Sequence, residues 1–343
     1  MSNETIKRMD YIDSIKGFAI FLVVMGHAIA WQFEDFYSVL ESDEMLPLFW
    51  WKVIYAFHMP LFMFVSGYLF PRRITGFKDL QSYLFRKVYT LAIPYIVCSG
   101  LLEILLGGGN YWFLKTLFII IIINTLGEII SQRFKKPLIV DVMYYISIFV
   151  ILRLLVKVLP ENIIQFVDFD HLNSFNYLAF CIGTICRKYD FANSILENKN
   201  IFTVSIIVFT GLIFCGMKGY NNYLFWLIPW GLLPLSGIIC CWQIFRFNFT
   251  DGKIINALQY LGKHSLEIYI LHFYFAIKFP YIGLFIRNLI RTDVAYNITT
   301  ALNIQLILSI IVSVIICVLC ITTFNVFRIS NLVSLIIFGR KNK

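Results

Sequence analysis

Two histidines in the N-terminal part of the sequence have positions suited to proton transfer. His27 and His58 each lie inside an apolar run, residues 15–33 and 50–70. An ionisable side chain within a membrane helix is costly, so it usually faces the interior of a bundle and has a function there. Imidazole takes up and releases a proton near neutral pH. Either residue alone could instead be a structural hydrogen-bond partner of a neighbouring helix, so the case for chemistry depends on whether the two rings meet.

Depth within the membrane favours such a meeting. His27 lies about twelve residues, or roughly 18 Å, above the cytoplasmic entry of its helix at 1.5 Å per residue. His58 lies about eight residues, or roughly 12 Å, below the outer entry of the next helix. In a hydrocarbon layer about 30 Å thick these depths coincide. Adjacent antiparallel helices would therefore hold both imidazoles at one level, a little outside the midplane.

Each histidine shares a helical face with polar residues nearer the cytoplasm. Residues three or four apart lie on one face of a helix, and such a stripe connects Asp13 and Lys16 to His27. The spacing of Asp13 and Lys16 also permits a local salt bridge. The stripe of the second histidine runs through Ser66 to Arg72. We predict two polar seams that lead from the cytoplasm to mid-membrane.

The composition requires membrane helices to position these groups. Of the 343 residues, 59% are apolar and only 14% are charged, whereas a soluble domain carries roughly 25% charged residues. This deficit excludes a disordered protein, a nucleic-acid-binding domain and most cytosolic enzymes. The formal net charge of +9 falls in short clusters between apolar runs, as membrane topology requires. We therefore expect the protein to be surrounded by membrane lipids and not to bind nucleic acid.

The apolar runs predict an all-α integral membrane protein with about ten transmembrane helices. Lys and Arg accumulate in every second connection, which places both termini in the cytoplasm. The connections are short, so we expect one membrane-embedded domain over residues 1–343, with cytoplasmic tails at 1–10 and 329–343. The ten runs are residues 15–33, 50–70, 88–106, 112–130, 138–159, 172–187, 201–217, 223–245, 265–290 and 301–327.

The cysteines and the N-terminus have plain interpretations. All eight cysteines lie in or beside apolar runs, without histidine or carboxylate at ligand spacing, so we predict no metal site and no disulfide. The first apolar run follows charged residues and has no small-residue cleavage pattern. We expect the first helix to be retained and not removed as a signal peptide.

Four segments together resemble acyltransferase family 3, and in particular its fucose 4-O-acetylase-like branch. The first has a basic residue, ten intervening positions and a histidine, fulfilled by Lys16 and His27, although many relatives have Arg as the basic member. The four segments occur in the family's order over essentially the whole length. They are DSIKGFAIFLVVMGH at 13–27, FHMPLFMFVSGYLFPRR at 57–73, YWFLKTLF at 111–118 and HSLEIYILH at 264–272.

The resemblance implies a membrane O-acyltransferase. Such an enzyme moves an acyl group, most simply acetyl, from cytoplasmic acyl-CoA to a hydroxyl of a cell-surface or lipid-linked saccharide. With acetyl-CoA as co-substrate, His27 would be the general base, while His58 would orient the acceptor, protonate the leaving thiolate or stabilise the oxyanion. No hydrolase-like domain follows the membrane part here, so we expect transfer within the membrane domain. The implied location is the bacterial inner membrane.

Five basic residues are candidates for the phosphates of CoA, because Arg forms paired hydrogen bonds to phosphate and Lys adds charge. Taken singly, each of them also fits the positive-inside pattern. These candidates are Lys16, Arg72, Arg73, Arg86 and Lys87.

Further residues are predicted to support the site. Glu267 and His272 are five residues apart, hence on different helical faces, and Glu267 either orients a histidine or binds an arginine of the basic loop. Trp112 and Lys115 either line the acceptor entrance or extend to the outer surface. The supporting set is Asp13, Ser66, Trp112, Glu267 and His272.

A proton-coupled transporter or glycan exporter is the alternative, because interior histidines and a basic mouth would suit it as well. Carriers often have inverted repeats with matching Gly or Pro breaks, and the prolines here do not pair convincingly between the two halves. The sequence leaves open the acceptor, the choice of acetyl or succinyl, direct transfer or covalent relay, and the oligomeric state.

Overall fold

The computed structural model of the chain is helical throughout the part that it describes. The described residues are 9–34, 36, 46–71, 76–106, 111–172, 174–217, 229–248, 252–292 and 294–340. Every regular element in these ranges is a helix of the α, 3₁₀ or π type.

The chain up to Lys188 contains eleven of the α-helices of the described residues. Short 3₁₀ or π turns join several of them, and the π turns Val88–Ala92 and Val97–Leu102 lie between α4, α5 and α6. The helices are α1 Asp10–Ala30, α2 Phe49–Tyr55, α3 His58–Tyr68, α4 Phe77–Lys87, α5 Ile93–Ile96, α6 Glu103–Leu106, α7 Trp112–Ser131, α8 Pro137–Val158, α9 Glu161–Val167, α10 Phe169–Leu172 and α11 Phe175–Lys188.

The C-terminal half continues the pattern. Its longest helix, α18, has 33 residues, and a 3₁₀ turn, His272–Phe275, follows α16. The helices are α12 Asp190–Leu196, α13 Lys199–Met217, α14 Pro229–Gln243, α15 Lys253–Lys263, α16 Ser265–Leu271, α17 Pro280–Ile290, α18 Ala295–Phe327 and α19 Asn331–Phe338.

The all-α membrane class is confirmed, whereas the number of ten spans stays a prediction. Among the described residues, five helices are long and apolar enough to cross a membrane, or up to seven if each of two bent pairs is one span. A shorter apolar helix covers Gly231–Phe247. The predicted run 88–106 is divided into α and π turns. The run 265–290 is broken at Pro280, as the proline predicts, and bends by 90° between Ser265–Phe275 and Pro280–Ile290.

The chain divides into two compact units. The first comprises Met1–His58, Lys199–Phe225 and Ser236–Ile321. The second comprises Met59–Asn198, Trp226–Leu235 and Thr322–Lys343. Each unit is assembled from segments distant in sequence, and the single domain expected over residues 1–343 stays a prediction.

In the first unit, α1 and α15 touch through two glycines. A Cβ atom on Gly17 would lie 1.8 Å from the carbonyl oxygen of Leu258, and one on Gly262 would lie 1.9 Å from that of Asp13. Such distances leave no room for a methyl group, so the two backbones are in direct contact. Small residues at a helix crossing permit this approach in membranes. The contact fixes the N-terminal half of α1, which carries Asp13 and Lys16.

The second unit has a matching contact between α3 and α11. A Cβ atom on Gly67 would lie 2.0 Å from the carbonyl oxygen of Phe180, and one on Gly183 would lie 2.1 Å from that of Phe64. The hydroxyl of Thr184 donates to the carbonyl of Gly67 at 3.3 Å. The Ser-Gly-Tyr step of the second motif thus contains a packing residue.

We expect Gly262→Ala to lower the melting temperature of the purified protein in detergent. The added methyl group would force α15 away from α1, an overpacking that costs about 1–3 kcal/mol. Gly211→Ala is the matched control, because a Cβ atom there meets nothing within 4 Å. Thermal unfolding that is equally affected by both substitutions would contradict the close contact.

Candidate active site

His27 lies in the last turn of α1 inside a cage of rings that all belong to the first unit. Its ring centroid is 5.1 Å from that of His272, 4.8 Å from that of Phe273 and 5.8 Å from that of Trp31. The side chain is partly exposed. The last turn of a helix carries a partial negative charge, which favours a cation. A proton taken up by His27 would therefore be stabilised by α1 itself.

His272 faces His27 with its Nδ1 atom bound to the backbone. This atom lies 2.8 Å from the carbonyl oxygen of Tyr269 and 3.1 Å from that of Ile268. Carbonyl oxygens only accept hydrogen bonds, so Nδ1 is a donor, and in the neutral ring Nε2 carries the lone pair. Nε2 is buried and has no hydrogen-bond partner among the described residues.

His58 also binds a backbone carbonyl through Nδ1, which selects the same tautomer as in His272. It is 3% exposed, and its Nδ1 donates to the carbonyl of Ile54 at 2.8 Å. His27 lies close enough to interact electrostatically with both His58 and His272. The ring of Tyr55, 4.6 Å from that of His58, also reaches α1, where a Cβ atom on Gly26 would lie 2.7 Å from it. The first unit thus brings three histidines together.

The charged supporting residues of the first unit form local pairs. Nζ of Lys16 lies 3.8 Å from Oδ1 of Asp13, whose side chain is 9% exposed. Glu267 is fully buried, and its Oε1 lies 3.9 Å from Nδ1 of His264. His264 belongs to the same motif as Glu267. Both roles considered for Glu267, the orientation of a histidine and the binding of an arginine, stay predictions.

The remaining predicted residues belong to the second unit or lie outside the described residues. Ser66 is half-buried on α3, and Trp112 stacks on His171 at 3.8 Å. The charged groups of Arg86 and Lys87 lie 5.7 and 5.5 Å from the ring centroid of Tyr83. Arg72 and Arg73 are outside the described residues.

The second unit contains a buried ion cluster that we did not predict from the sequence. Nζ of Lys188 lies 2.6 Å from Oε2 of Glu128 and 2.9 Å from Oδ2 of Asp141, and both carboxylates are 1% exposed. The hydroxyl of Tyr189 donates to Asp141 at 2.6 Å, and Gln132 donates to Glu128 at 2.7 Å. The signal was present, because two acidic residues stand inside apolar runs, but Lys188 was counted only as a topological charge.

A family model described as an acyltransferase domain, that of acyltransferase family 3, matches residues 9–322. The chain belongs to this family. This acyltransferase thus carries the family's domain over nearly its whole length, across both units. The family and the apolar helices together make it a membrane acyltransferase, and the resemblance inferred from the four motifs is confirmed.

Two curated relatives of the acyltransferase share its sequence more weakly. Nodulation protein NolL of Sinorhizobium fredii is 37% identical over 91 residues, which is 26% of this chain and 23% of that protein. Nodulation protein NolL of Mesorhizobium japonicum is 23% identical over an alignment of 346 positions, which covers 88% of this chain and 84% of that protein. No solved structure matches the acyltransferase.

Proposed function

We propose that this acyltransferase moves an acetyl group from cytoplasmic acetyl-CoA to a hydroxyl of a cell-surface or lipid-linked saccharide, with His27 as general base. We further propose that it spans the bacterial inner membrane about ten times, with both termini in the cytoplasm. The observation that carries the catalytic part is the three-histidine cluster. His27 is partly exposed there, while His58 and His272 are buried with Nδ1 bound to backbone carbonyls.

The chemistry follows from the protonation states in this cluster. His27 takes the proton of the acceptor hydroxyl as its oxygen attacks the thioester carbonyl, and an oxyanion forms. The oxyanion then collapses, the carbon–sulfur bond breaks, and the departing thiolate receives the proton to give CoA and the ester. A positioned general base of this kind contributes about 10² to 10⁴ in rate. The C-terminal end of α1 stabilises the imidazolium between the two proton transfers.

The two buried histidines have complementary roles in this proposal. The lone pair on Nε2 of His272 accepts a hydrogen bond from the imidazolium of His27 and so holds the charge in place. His58, whose Nδ1–H is committed to Ile54, likewise offers the lone pair on Nε2 to the hydroxyl group of the saccharide. Neither residue needs to change its own charge during the reaction.

The proposed function is tested by following labelled acetyl from CoA in membranes that contain the protein. We expect label to appear covalently in the glycan fraction, at a rate that depends on the concentration of the protein. A proton-coupled carrier or exporter would redistribute glycan across the membrane without incorporating label. Glycan movement without covalent label would therefore overturn the proposal in favour of transport.

Two substitutions of His272 should separate its role as a hydrogen-bond acceptor for His27 from its role in packing. We expect His272→Phe to lower kcat by about tenfold or more, because it keeps a ring beside His27 but removes the acceptor. His272→Gln, whose side-chain oxygen can accept, should retain more activity. The check is kcat and KM for acetyl-CoA in purified protein, and equal kcat in both variants would contradict the proposed hydrogen bond.

The basic residues should act on the donor and not on the chemical step. We expect Arg72→Gln, Arg73→Gln and Arg86→Gln to raise KM for acetyl-CoA, most strongly at low ionic strength, because salt screens exposed charges. The exposed Arg133 provides a matched control for the same substitution. Initial rates at two salt concentrations measure the effect, and an unchanged KM would leave these arginines with a topological role alone.

A further inference from the structure

The second unit contains an aspartate–histidine pair that the proposed catalytic cluster does not use. Asp168 ends α9 with a left-handed backbone, φ 64°, and it is the one non-glycine residue with positive φ among the described residues. Its Oδ1 accepts a hydrogen bond from Nδ1 of His171 at 2.6 Å. Aspartate tolerates this backbone conformation better than most residues. The turn therefore places the carboxylate beside the imidazole.

The imidazole of His171 is oriented by two contacts, and its backbone carbonyl is fixed by two more. Besides the bond to Asp168, its ring stacks on Trp112 with centroids 3.8 Å apart and planes inclined by 14°. Its carbonyl accepts hydrogen bonds from the hydroxyl of Ser174 at 2.6 Å and from the amide of Asn176 at 3.3 Å. The imidazole is 38% exposed. Because Nδ1 donates to the carboxylate, Nε2 is the nitrogen left to bind a ligand.

The chemistry of this cluster favours a neutral polyhydroxylated ligand. The accessible polar group is the imidazole of His171, which is 38% exposed and whose Nε2 can accept a hydrogen bond from a hydroxyl group. Oδ2 of Asp168 is buried without a hydrogen-bond partner among the described residues. The rings of Trp112 and His171 offer apolar surface next to these polar atoms, which suits a molecule with both kinds of surface.

Charged ligands fit the cluster less well. An anion would meet the carboxylate, and the neighbouring Lys115 already donates to the carbonyl of Phe166 at 3.0 Å. No group of three or more potential metal ligands occurs in the described part of the chain, so the pair alone offers a cation little coordination. The loop charges also predict that this segment faces outward, the side from which an exported saccharide would come.

We infer that Trp112, Asp168 and His171 form a saccharide-binding subsite within the second unit. This inference rests on the proposed function only in naming a saccharide as the ligand. His171 is a binding residue in it, and Asp168 is a positioning residue that sets the tautomer of the imidazole. The subsite lies within the second unit, whereas the three catalytic histidines belong to the first.

The test is saccharide binding by the full chain in detergent, without acetyl-CoA. The probes are methyl α-L-fucoside and methyl α-D-glucoside, and saturation-transfer NMR measures the affinity. We expect His171→Phe, which keeps the stack on Trp112 but removes both nitrogens, to weaken binding about tenfold. Asp168→Gly keeps the left-handed backbone and should weaken it similarly, whereas Asp168→Asn retains an acceptor for His171 and should weaken it less. Asp170→Asn, at an exposed site two residues away, should have no effect.

Each outcome decides the inference and is separate from the proposed function. Tenfold weaker binding in His171→Phe and Asp168→Gly, with melting temperatures like that of the wild type, supports the subsite. Equal binding in all variants, or no binding of either glycoside by the wild type, overturns it. If labelled acetyl still reaches glycan in that case, the proposed function stands and only the subsite fails. If binding depends on His171 but no acetyl is transferred, the subsite stands and the proposed function fails.

Discussion

Replacement of His27 by phenylalanine is expected to abolish acyl transfer while the protein stays folded. Phenylalanine preserves the ring packing against Trp31, His272 and Phe273 but removes the proton acceptor. Loss of a general base lowers the rate by about 10² to 10⁴. Transfer of labelled acetyl from CoA to glycan in isolated membranes measures the loss.

Two controls distinguish catalysis from packing in this experiment. His27→Ala should be as inactive as His27→Phe, although it leaves a gap between the rings, because activity depends on the nitrogen and not on volume. Trp31→Phe keeps a ring at the adjacent position and should retain most of the activity. If His27→Phe transferred acetyl at the wild-type rate, the base would have to be another group.

Replacement of Lys188 by methionine should lower the stability of the folded protein more than Gly262→Ala does. Lys188 is the cation between Glu128 and Asp141, and both carboxylates are almost fully buried. Without it, two negative charges would remain together in a region of low dielectric constant. Removal of one partner from a buried ion pair typically costs about 3–5 kcal/mol. The melting temperature of the purified protein in detergent measures this loss.

A combined variant tests whether charge is the cause. Glu128→Gln and Asp141→Asn, introduced together with Lys188→Met, remove the uncompensated charges and should recover much of the lost melting temperature. Lys157→Met is the matched control, because Lys157 is exposed near the end of α8 and surface substitutions usually change stability by less than about 0.5 kcal/mol. No recovery in the triple variant would show that the shape of Lys188, and not its charge, matters.

The long helices could be predicted from the sequence because the length of an apolar run depends only on neighbouring residues. The run 112–130 corresponds to α7, Trp112–Ser131, and the run 138–159 to α8, Pro137–Val158. The run 15–33 was placed too late, since α1 is Asp10–Ala30. Its first turn contains Asp10 and Asp13, which a hydropathy window rejects but which stabilise a helix N-terminus.

The partners of His27 could not all be predicted, because they depend on long-range packing. His27 and His58 were paired from depth alone, whereas the approach of His272 requires α16 to pack on α1. Helical spacing could not show that His264 is the histidine beside the carboxylate of Glu267. The ion cluster around Lys188 joins three helices. A count of loop charges does not show which helices pack together, so it could not predict this cluster.

Mass spectrometry of surface glycans tests the central claim most directly. Cells that produce the wild-type protein, cells that produce His27→Phe at the same level, and cells without the gene are compared. The proposed function predicts acetyl esters on a saccharide hydroxyl in the first sample alone. Identical glycans in all three samples, or acetyl esters that persist with His27→Phe, would contradict it.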